Sequence, residues 1–320
     1  MSLSTEIWVE KYRPLEFDKI LGQEKNIHIL DKMIENNSLP HLLFHGMSGV
    51  GKTSAILSIA KKLYGNDTKF MMIKLDASDD RGINIVRNEI KGFAEKYTLT
   101  GKGVKLVILD EVDNMTSDAQ FALRRIIEKF SDNTRFCLIC NYENKIIPPI
   151  KSRCVDLRFY PIHKDTIYKK LEDICKCEKI KYTKNGLYTI AELSNGDLRK
   201  SINVLQSLSY QTKKIDSKST YSLLGIPDIK IMNIVYKKLV GDDSLLDTFN
   251  YINTNIINEG ISLSLLLREL LKIFLQNKDD IDKDKMMNYM IDMAKLEVDV
   301  NNSTFGDIYI VSLISIFKII

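Results

Sequence analysis

The sequence predicts an α/β domain with a parallel sheet at its centre, followed by a small helical domain and then an all-helical domain. Between residues 22 and 160, short apolar runs alternate with amphipathic stretches, the pattern of parallel strands connected by helices. After Pro161 the strand-like runs give way to helical periodicity, which continues to the last residue. With 320 residues the chain is long enough for two or three domains, at roughly 150 residues each. The predicted domains are residues 1–162, 163–226 and 227–320.

Five strands and three connecting helices are expected in the first domain. The helices should begin near Lys52, Gly82 and Asp118. Thr116 is placed to cap the third helix, because a hydroxyl just before the first turn accepts a free backbone N–H. The predicted strands are residues 41–45, 70–75, 104–110, 134–140 and 155–159.

The second and third domains are expected to be helical. Helical periodicity covers residues 164–175, 184–193 and 197–209 of the second domain. The third domain has the pattern of further amphipathic helices, with the polar residues 277–285 as a loop or a helix start.

The composition indicates a folded, soluble protein inside the cell. Hydrophobic residues make up 44% of the chain and charged residues 28%, which is ordinary globular usage. The formal net charge of +4 is too small to indicate a nucleic-acid binder by itself. The N-terminal residues are charged where a signal peptide would be apolar, and no apolar stretch is long enough to cross a bilayer. We therefore expect no membrane partner.

The five cysteines are expected to be reduced thiols. Cys137 and Cys140 form a CxxC, but they lie in a strand-like run and no second CxxC completes a zinc set. Strand alternation would point the two thiols to opposite faces of the sheet. The simplest interpretation is that both are small buried apolar residues.

A phosphate-binding motif occupies residues 46–53, GMSGVGKT, which fit the pattern G-x-x-x-x-G-K-[ST] between a strand and a helix. Glycines let the backbone wrap closely around an anion, so that N–H groups and the positive end of the helix face the phosphates. Lys52 would place its charge at the β- and γ-phosphates, and Thr53 would offer its hydroxyl to Mg²⁺.

A second motif consists of the apolar run LVIL followed by DEVD at residues 110–113. Adjacent carboxylates at the end of a buried strand, beside a phosphate-binding loop, are what metal-assisted phosphoryl transfer requires. Asp110 would hold Mg²⁺, and Glu111 would orient and deprotonate the attacking water. The two motifs together predict a nucleotide site.

The nucleotide is expected to be ATP. Residues 277–280 spell NKDD, which matches the N-K-x-D pattern of guanine readers, but they follow a helical stretch within a charged run. A solvated loop is the better interpretation. The acidic pair Asp110 and Glu111, where GTPases have D-x-x-G, also favours ATP.

Several further short segments follow one another along the chain. They are WVEKYRP (8–14), GQ (22–23), LPHLLF (39–44), DASDDRG (76–82), ALRR (122–125), SRC (152–154) and SNGDLR (194–199). In order and spacing they resemble the motifs of the small subunits of replication factor C, the eukaryotic clamp loader, a family of AAA+ ATPases. The resemblance covers nearly the whole chain, although the last third carries only a general helical pattern.

The resemblance implies a function in DNA replication and repair in the nucleus. ATP would draw the similar subunits of a hetero-pentamer into a spiral that opens a sliding clamp, proliferating cell nuclear antigen, and grips primer–template DNA. Hydrolysis to ADP would then release the loader. The last domain would correspond to the collar of that assembly.

The resemblance also assigns nucleotide contacts. Val9 and Arg13, with the backbone near Leu21, would pack around the adenine. Asn141 looks like the sensor that positions water near the γ-phosphate, and Arg199 like the second sensor, which couples phosphate state to the lid. The implied phosphate-side contacts are Gly46, Ser48, Gly49, Val50, Gly51, Lys52, Thr53 and Ser54.

Arg153, in the SRC segment, resembles the arginine finger of the family. It would reach into the ATP site of the neighbouring subunit and neutralise charge that develops during hydrolysis. Sites at subunit interfaces are therefore expected.

DNA contacts are the least specific part of the pattern. Arg81, Arg87 and Lys91 fall in one helical segment, with Arg87 and Lys91 four residues apart on a common face. In the family this helix faces the DNA backbone, which would give salt-dependent binding with little sequence preference. A solvated basic face is the simpler interpretation of the residues alone.

Two other functions stay open at this point. The chain could be a nucleotide-gated scaffold of the same complex that hydrolyses little ATP, or a different AAA+ DNA remodeller such as an initiator or a branch-migration motor. The phosphate loop also has Met47, Ser48 and Val50 where the family commonly has prolines and a threonine, although its glycines, Lys52 and Thr53 remain.

Overall fold

The computed structural model describes residues 7–14, 16–77, 83–95, 103–277, 282–303 and 306–318. The chain divides into two compact units, Met1–Ile215 and Asp216–Ile320. The first unit contains the sheet together with the helices of the predicted second domain. The predicted boundary between residues 162 and 163 stays a prediction, and the compact units meet at residue 215 rather than at the predicted 226.

The first unit contains a five-stranded sheet in the order β2-β3-β4-β1-β5, in which every neighbouring pair is parallel. The predicted α/β class is therefore confirmed, and each predicted strand lies within two residues of an observed one. The strands are β1 (Leu42–His45), β2 (Met72–Asp76), β3 (Lys105–Asp110), β4 (Thr134–Cys140) and β5 (Val155–Arg158).

Helices connect the strands and continue beyond the last one. The α-helices of the first unit are α1 (Trp8–Lys11), α2 (Glu24–Glu35), α3 (Lys52–Tyr64), α4 (Thr68–Met71), α5 (Ile83–Glu95), α6 (Ser117–Phe130), α7 (Pro148–Lys151), α8 (Lys164–Cys177), α9 (Lys184–Leu193) and α10 (Leu198–Gln211). Thr116 caps α6 as predicted, since its hydroxyl accepts the Ala119 N–H at 3.3 Å.

The sheet is apolar on both faces, because alternate residues of each buried strand point to opposite sides. Leu42 and Phe44 pack on one side with the apolar face of α3, whereas Leu43 packs on the other side with α6. Cys137 belongs to the first core and Cys140 to the second, which confirms that the two thiols face opposite ways. All five cysteines are free.

The second unit is helical, as predicted. Its core includes Leu239, Leu266, Leu270 and Leu313, which are fully buried. No helix among the described residues has the length and apolar character needed to cross a membrane. The α-helices are α11 (Ser217–Leu224), α12 (Ile229–Val240), α13 (Leu245–Ile252), α14 (Leu263–Gln276), α15 (Lys283–Asn302) and α16 (Ile310–Lys318), with a π-helical turn at Asn253–Ile257. Asn277 follows α14, and the rest of the NKDD segment lies outside the described residues.

Candidate functional site

A cleft lies at the carboxyl ends of the strands in the first unit, where ligands of open parallel sheets usually bind. Its empty volume is about 1060 Å³, open solvent included. The strand order explains why the two motifs meet there. The phosphate-binding segment 46–53 follows β1, and Asn141 follows β4, which pairs with β1. Asp110 ends β3, the next strand in the sheet. The predicted nucleotide contacts that line the cleft are Val9, Arg13, Leu21, Ser48, Gly49, Val50, Gly51, Lys52, Thr53, Ser54, Asn141 and Arg199.

The loop between β1 and α3 requires glycine at two positions. The Phe159 backbone approaches the loop at one of them, and the start of α10 approaches it at the other; the helices α8 to α10 are the lid helices. Gly46 has a φ of 140°, and a Cβ atom there would lie 2.2 Å from the Phe159 carbonyl oxygen. Gly49 has a φ of 68°, and a Cβ atom there would lie 1.7 Å from Oδ1 of Asp197. The Gly49 carbonyl also accepts the Leu198 N–H at 3.2 Å, so the start of α10 rests directly on the loop.

Lys52 points back over this loop. Its ammonium donates to the carbonyl oxygens of Gly46 at 2.6 Å and Met47 at 2.8 Å, and to Oδ1 of Asn141 at 2.9 Å. The side chain is buried, and burial lowers the pKa of the ammonium from its ordinary value. The lysine therefore ties the predicted sensor Asn141 to the phosphate-binding loop.

Thr53 and Asp110 lie together, as a shared metal would require. The Thr53 hydroxyl donates to Oδ2 of Asp110 at 3.1 Å, and the Lys74 ammonium lies 3.2 Å from the same oxygen. Hydroxyl and carboxylate oxygens are the hard ligands that Mg²⁺ prefers, so the donor set fits this ion.

Glu111 has a left-handed backbone, with φ 57° and ψ 37°. Such a conformation is costly for a residue with a side chain and is found most often at functional sites. Its carboxylate accepts the Asn114 amide at 3.0 Å, and the residue lines the cleft beside Asp110. The turn thus presents Glu111 to the cleft and fixes its carboxylate.

Asp113 holds the backbone of Asn141 and Tyr142, the predicted sensor turn. Its Oδ2 accepts the backbone N–H groups of Asn141 at 3.3 Å and Tyr142 at 3.2 Å, and the side chain is buried. Asp113 is the last residue of the acidic motif DEVD, and the motif alone predicted no function for it. The contact links the end of β3 to the end of β4, so it depends on the pairing of the two strands.

The other end of the cleft is formed by the N-terminal segment, which is attached to the lid helices. Glu178, at the end of α8, accepts hydrogen bonds from the Lys11 ammonium at 2.7 Å and from the Tyr12 hydroxyl. Burial, and then this hydrogen bond, raises the pKa of Tyr12. The backbone N–H of Trp8 donates to the Gln206 side chain of α10 at 3.1 Å. Sequence reasoning missed these contacts, which join residues far apart in the chain.

Arg153 lies outside the cleft of its own chain. One guanidinium nitrogen donates to the Pro149 carbonyl oxygen at 2.7 Å, and the other lies 2.5 Å from Oε1 of Glu128. Arg124 binds the same carboxylate oxygen at 2.9 Å. The function assigned to Arg153 by resemblance stays a prediction.

The predicted DNA contacts are described only in part. Arg81 lies outside the described residues, and Arg87 belongs to α5. The Lys91 ammonium lies 4.0 Å from the Glu95 carboxylate on the same exposed helix face. These three assignments also stay predictions.

Two family models match the first unit. The AAA model (ATPase family associated with various cellular activities) matches residues 42–161, which contain the sheet, and the model of the RCF1/5-like AAA+ ATPase lid domain matches residues 169–210. The second match covers most of α8 through α10, the helices that close one side of the cleft.

Similar proteins match nearly the whole chain. Replication factor C subunit 5 of Homo sapiens is 40% identical over 319 residues, which cover 98% of this chain and 91% of that protein. Replication factor C subunit 3 of Saccharomyces cerevisiae is 38% identical, over 94% of this chain and 92% of that protein. The replication factor C small subunit of Picrophilus torridus is 41% identical, over 80% of each.

Among solved structures, the Thermotoga maritima RuvB Holliday junction branch migration motor is similar with a TM-score of 0.52. It is 17% identical and the match covers 77% of this chain and 89% of that chain, a likeness that shows the fold alone. The matches along the full chain show more, because they reach about 40% identity over most of both proteins. The chain is an ATPase, and it belongs to the replication factor C small-subunit family of AAA+ ATPases.

Proposed function

We propose that this chain is one subunit of a nuclear clamp loader, which binds ATP in the cleft and helps to open a sliding clamp and place it on primer–template DNA. The observation that carries the proposal is the convergence of Lys52, Asp110, Glu111 and Asn141 in one cleft, in a chain that is 40% identical to human replication factor C subunit 5. The partners would be the other subunits of a hetero-pentamer and proliferating cell nuclear antigen.

The phosphate end of the cleft would work through residues that are already held in place. Lys52 binds the phosphates at the loop, and Thr53 with Asp110 would hold Mg²⁺, directly or through water. When bound, Mg²⁺ neutralises charge on the phosphate oxygens. Glu111 takes the proton of the attacking water, because its carboxylate stands at the cleft beside Asp110.

Asn141 orients that water from its position just after β4, and the Asp113 carboxylate fixes the backbone of its turn. Arg199 adds a charge from the lid, since it lines the cleft at the start of α10. Bound nucleotide would thus connect the sheet, the sensor turn and the lid, and the change from ATP to ADP would alter the lid position.

Arg153 would complete the site of a neighbouring subunit. Its position outside its own cleft and its partly exposed side chain next to Glu128 support this assignment. DNA binding would use the basic residues Arg81, Arg87 and Lys91, with contacts to the phosphate backbone.

Steady-state ATP turnover of the reconstituted complex, with clamp and primed DNA, tests the proposal. Lys52→Ala should abolish ATP binding at this subunit. Arg153→Ala should leave the ATP affinity of its own subunit unchanged and slow hydrolysis at least tenfold, as loss of an arginine finger does. Arg124→Ala is the matched control, because it removes the other partner of Glu128, and it should leave turnover nearly normal.

Three outcomes would contradict parts of this proposal. Loss of ATP binding by isolated Arg153→Ala, with normal turnover in the complex, would refute the contribution in trans. Unchanged turnover and clamp release in a complex carrying Glu111→Gln would favour the scaffold function. Failure of the wild-type chain to bind sibling subunits or a sliding clamp would refute the clamp-loader assignment itself.

A further inference from the structure

The cleft has more basic than acidic side chains. Three of the basic ones, Lys52, Lys170 and Arg199, have no carboxylate within ion-pair distance among the described residues, and Lys52 is held instead by its hydrogen bonds to two loop carbonyls and the Asn141 amide. Five basic and three acidic side chains line the cleft, which gives an excess of two positive charges. Arg13 is paired with Glu10 at 3.0 Å and Lys19 with Glu16 at 2.9 Å. The basic lining residues are Arg13, Lys19, Lys52, Lys170 and Arg199.

Lys170 and Arg199 remain, and both come from the lid helices. Within the part of the chain that the structure describes, neither makes an ion pair or a hydrogen bond. Arg199 already has a predicted function as a phosphate sensor, whereas Lys170 has none. A half-buried ammonium that lines a cleft without a counterion is suited to an acceptor supplied by the ligand.

The location of Lys170 indicates which part of the ligand it meets. Its ammonium lies 5.9 Å from the centre of the Tyr12 ring, within the range of a cation–π contact. Tyr12 is bonded to Glu178 at the end of α8, the helix that also carries Lys170. Lys170 therefore lies beside the N-terminal segment, where Val9 is predicted to pack around the adenine. Lys52 belongs instead to the phosphate-binding loop.

We propose that Lys170 is a nucleotide-binding residue that donates hydrogen bonds to the base-and-ribose end of ATP. An ammonium has three donors and no acceptor, and ribose hydroxyl and adenine ring nitrogen atoms offer acceptors. The cation–π contact with the Tyr12 ring holds the ammonium at this end of the cleft. The proposal rests on the nucleotide site proposed above and adds a contact from the first lid helix to it.

The test is isothermal titration calorimetry of the full chain with the magnesium salts of ATP, ADP and tripolyphosphate, which lacks base and ribose. Lys170→Met removes the donors and keeps the stem. This substitution should weaken the binding of ATP and of ADP equally, by about tenfold, which is the effect of losing one charge-assisted hydrogen bond. Tripolyphosphate affinity should not change. Lys170→Arg, which keeps donors, should stay within about threefold of wild type.

Lys169→Met is the matched control, since Lys169 is the preceding residue of α8, is exposed and does not line the cleft. It should bind all three ligands like the wild type. Wild-type affinity for ATP in Lys170→Met would overturn the inference. Equal weakening of tripolyphosphate and ATP would also overturn it, because the ammonium would then face the phosphates. Neither result would contradict the proposed nucleotide site itself, which would be refuted only if the wild-type chain bound no ATP.

Discussion

Replacing Gly49 with alanine should destabilise the first unit, because this residue is constrained in two independent ways. Its φ of 68° lies in the left-handed region, which costs an L-residue about 1–2 kcal/mol. The added methyl group would lie 1.7 Å from Oδ1 of Asp197, far inside contact distance. Asp197 would have to move, and the Lys200 N–H that it accepts at 2.9 Å would lose its cap.

The magnitude follows from these two costs. Loss of an N-cap costs about 1 kcal/mol, so Gly49→Ala should lower the free energy of unfolding by about 2–3 kcal/mol. Asp197→Ala removes the cap alone and should cost about 1 kcal/mol. In the double variant the cap is lost only once. Its cost should therefore equal that of Gly49→Ala and fall about 1 kcal/mol below the sum of the two single variants.

Urea denaturation gives the measurement. Trp8 is the only tryptophan, it is 5% exposed, and it belongs to the first unit, so its fluorescence reports the unfolding of this unit. Gly225→Ala, followed by circular dichroism, is the control: its φ is 62° and no atom lies within 4 Å of the added methyl, so only the backbone cost of about 1–2 kcal/mol should appear. If Gly49→Ala and Asp197→Ala add within about 0.5 kcal/mol, the inferred collision is refuted.

Three further predictions concern stability and reactivity. Asp113→Ala should cost about 2–4 kcal/mol in urea denaturation, because two backbone N–H groups lose a buried, charged acceptor; a cost below about 1 kcal/mol would contradict this. The hydrogen bond from Lys11 holds the pKa of Glu178 below its ordinary value. The ionised carboxylate therefore stabilises the folded state at pH values above the ordinary carboxyl pKa, and this stabilisation is lost as the pH falls through the folded-state pKa. Glu178→Gln should therefore lower the urea midpoint at about pH 7 and change it less at about pH 3, and an equal change at both would argue against the ion pair. Iodoacetamide should alkylate the exposed Cys177 before Cys140, because burial raises the pKa of Cys140 to about 12 and leaves little reactive thiolate. If peptide mass spectrometry found Cys140 modified as fast as Cys177, the inferred burial would be refuted.

Local chemistry was sufficient to predict the five strands of the first unit and six of its helices, although not the helices α1, α2, α4 and α7. Thr116 was predictable as a cap because a hydroxyl before a helix satisfies a neighbouring N–H, and Lys52 because its motif lies between a strand and a helix. The contacts of Asp113 and Glu178 were not predictable in this way. Each joins segments that are distant in sequence, so the partner depends on which strands pair and where the lid helices pack.

The predicted boundary between the second and third domains stays a prediction, although the compact units of the structure divide the chain at a different residue. A polar stretch and Pro227 suggested a break near residue 226, whereas the compact units meet at Ile215. The Ile215 N–H donates to the Lys181 carbonyl oxygen at 2.9 Å, and the Thr183 N–H donates to the Ile215 carbonyl oxygen at 2.9 Å. These bonds attach the residue to the lid, and they depend on a pairing between segments that sequence periodicity does not reveal.

The environment of Arg153 suits a side chain that changes partner. Its Nη1 donates to the Pro149 carbonyl oxygen, so the backbone of α7, the helix just before Arg153, fixes the direction of the side chain. Its Nη2 binds Glu128 at the surface, and an ion pair this accessible to water stabilises a fold only slightly because water competes for both groups. Glu128 also keeps Arg124 as a second partner, so release of Arg153 would not leave the carboxylate unpaired. Exchange of Glu128 for the phosphate oxygens of a nucleotide on an adjoining subunit would therefore cost this chain little, while a planar guanidinium binds such oxygens through two donors. The same arrangement explains why the proposed function in trans needs no rearrangement of the cleft in its own chain.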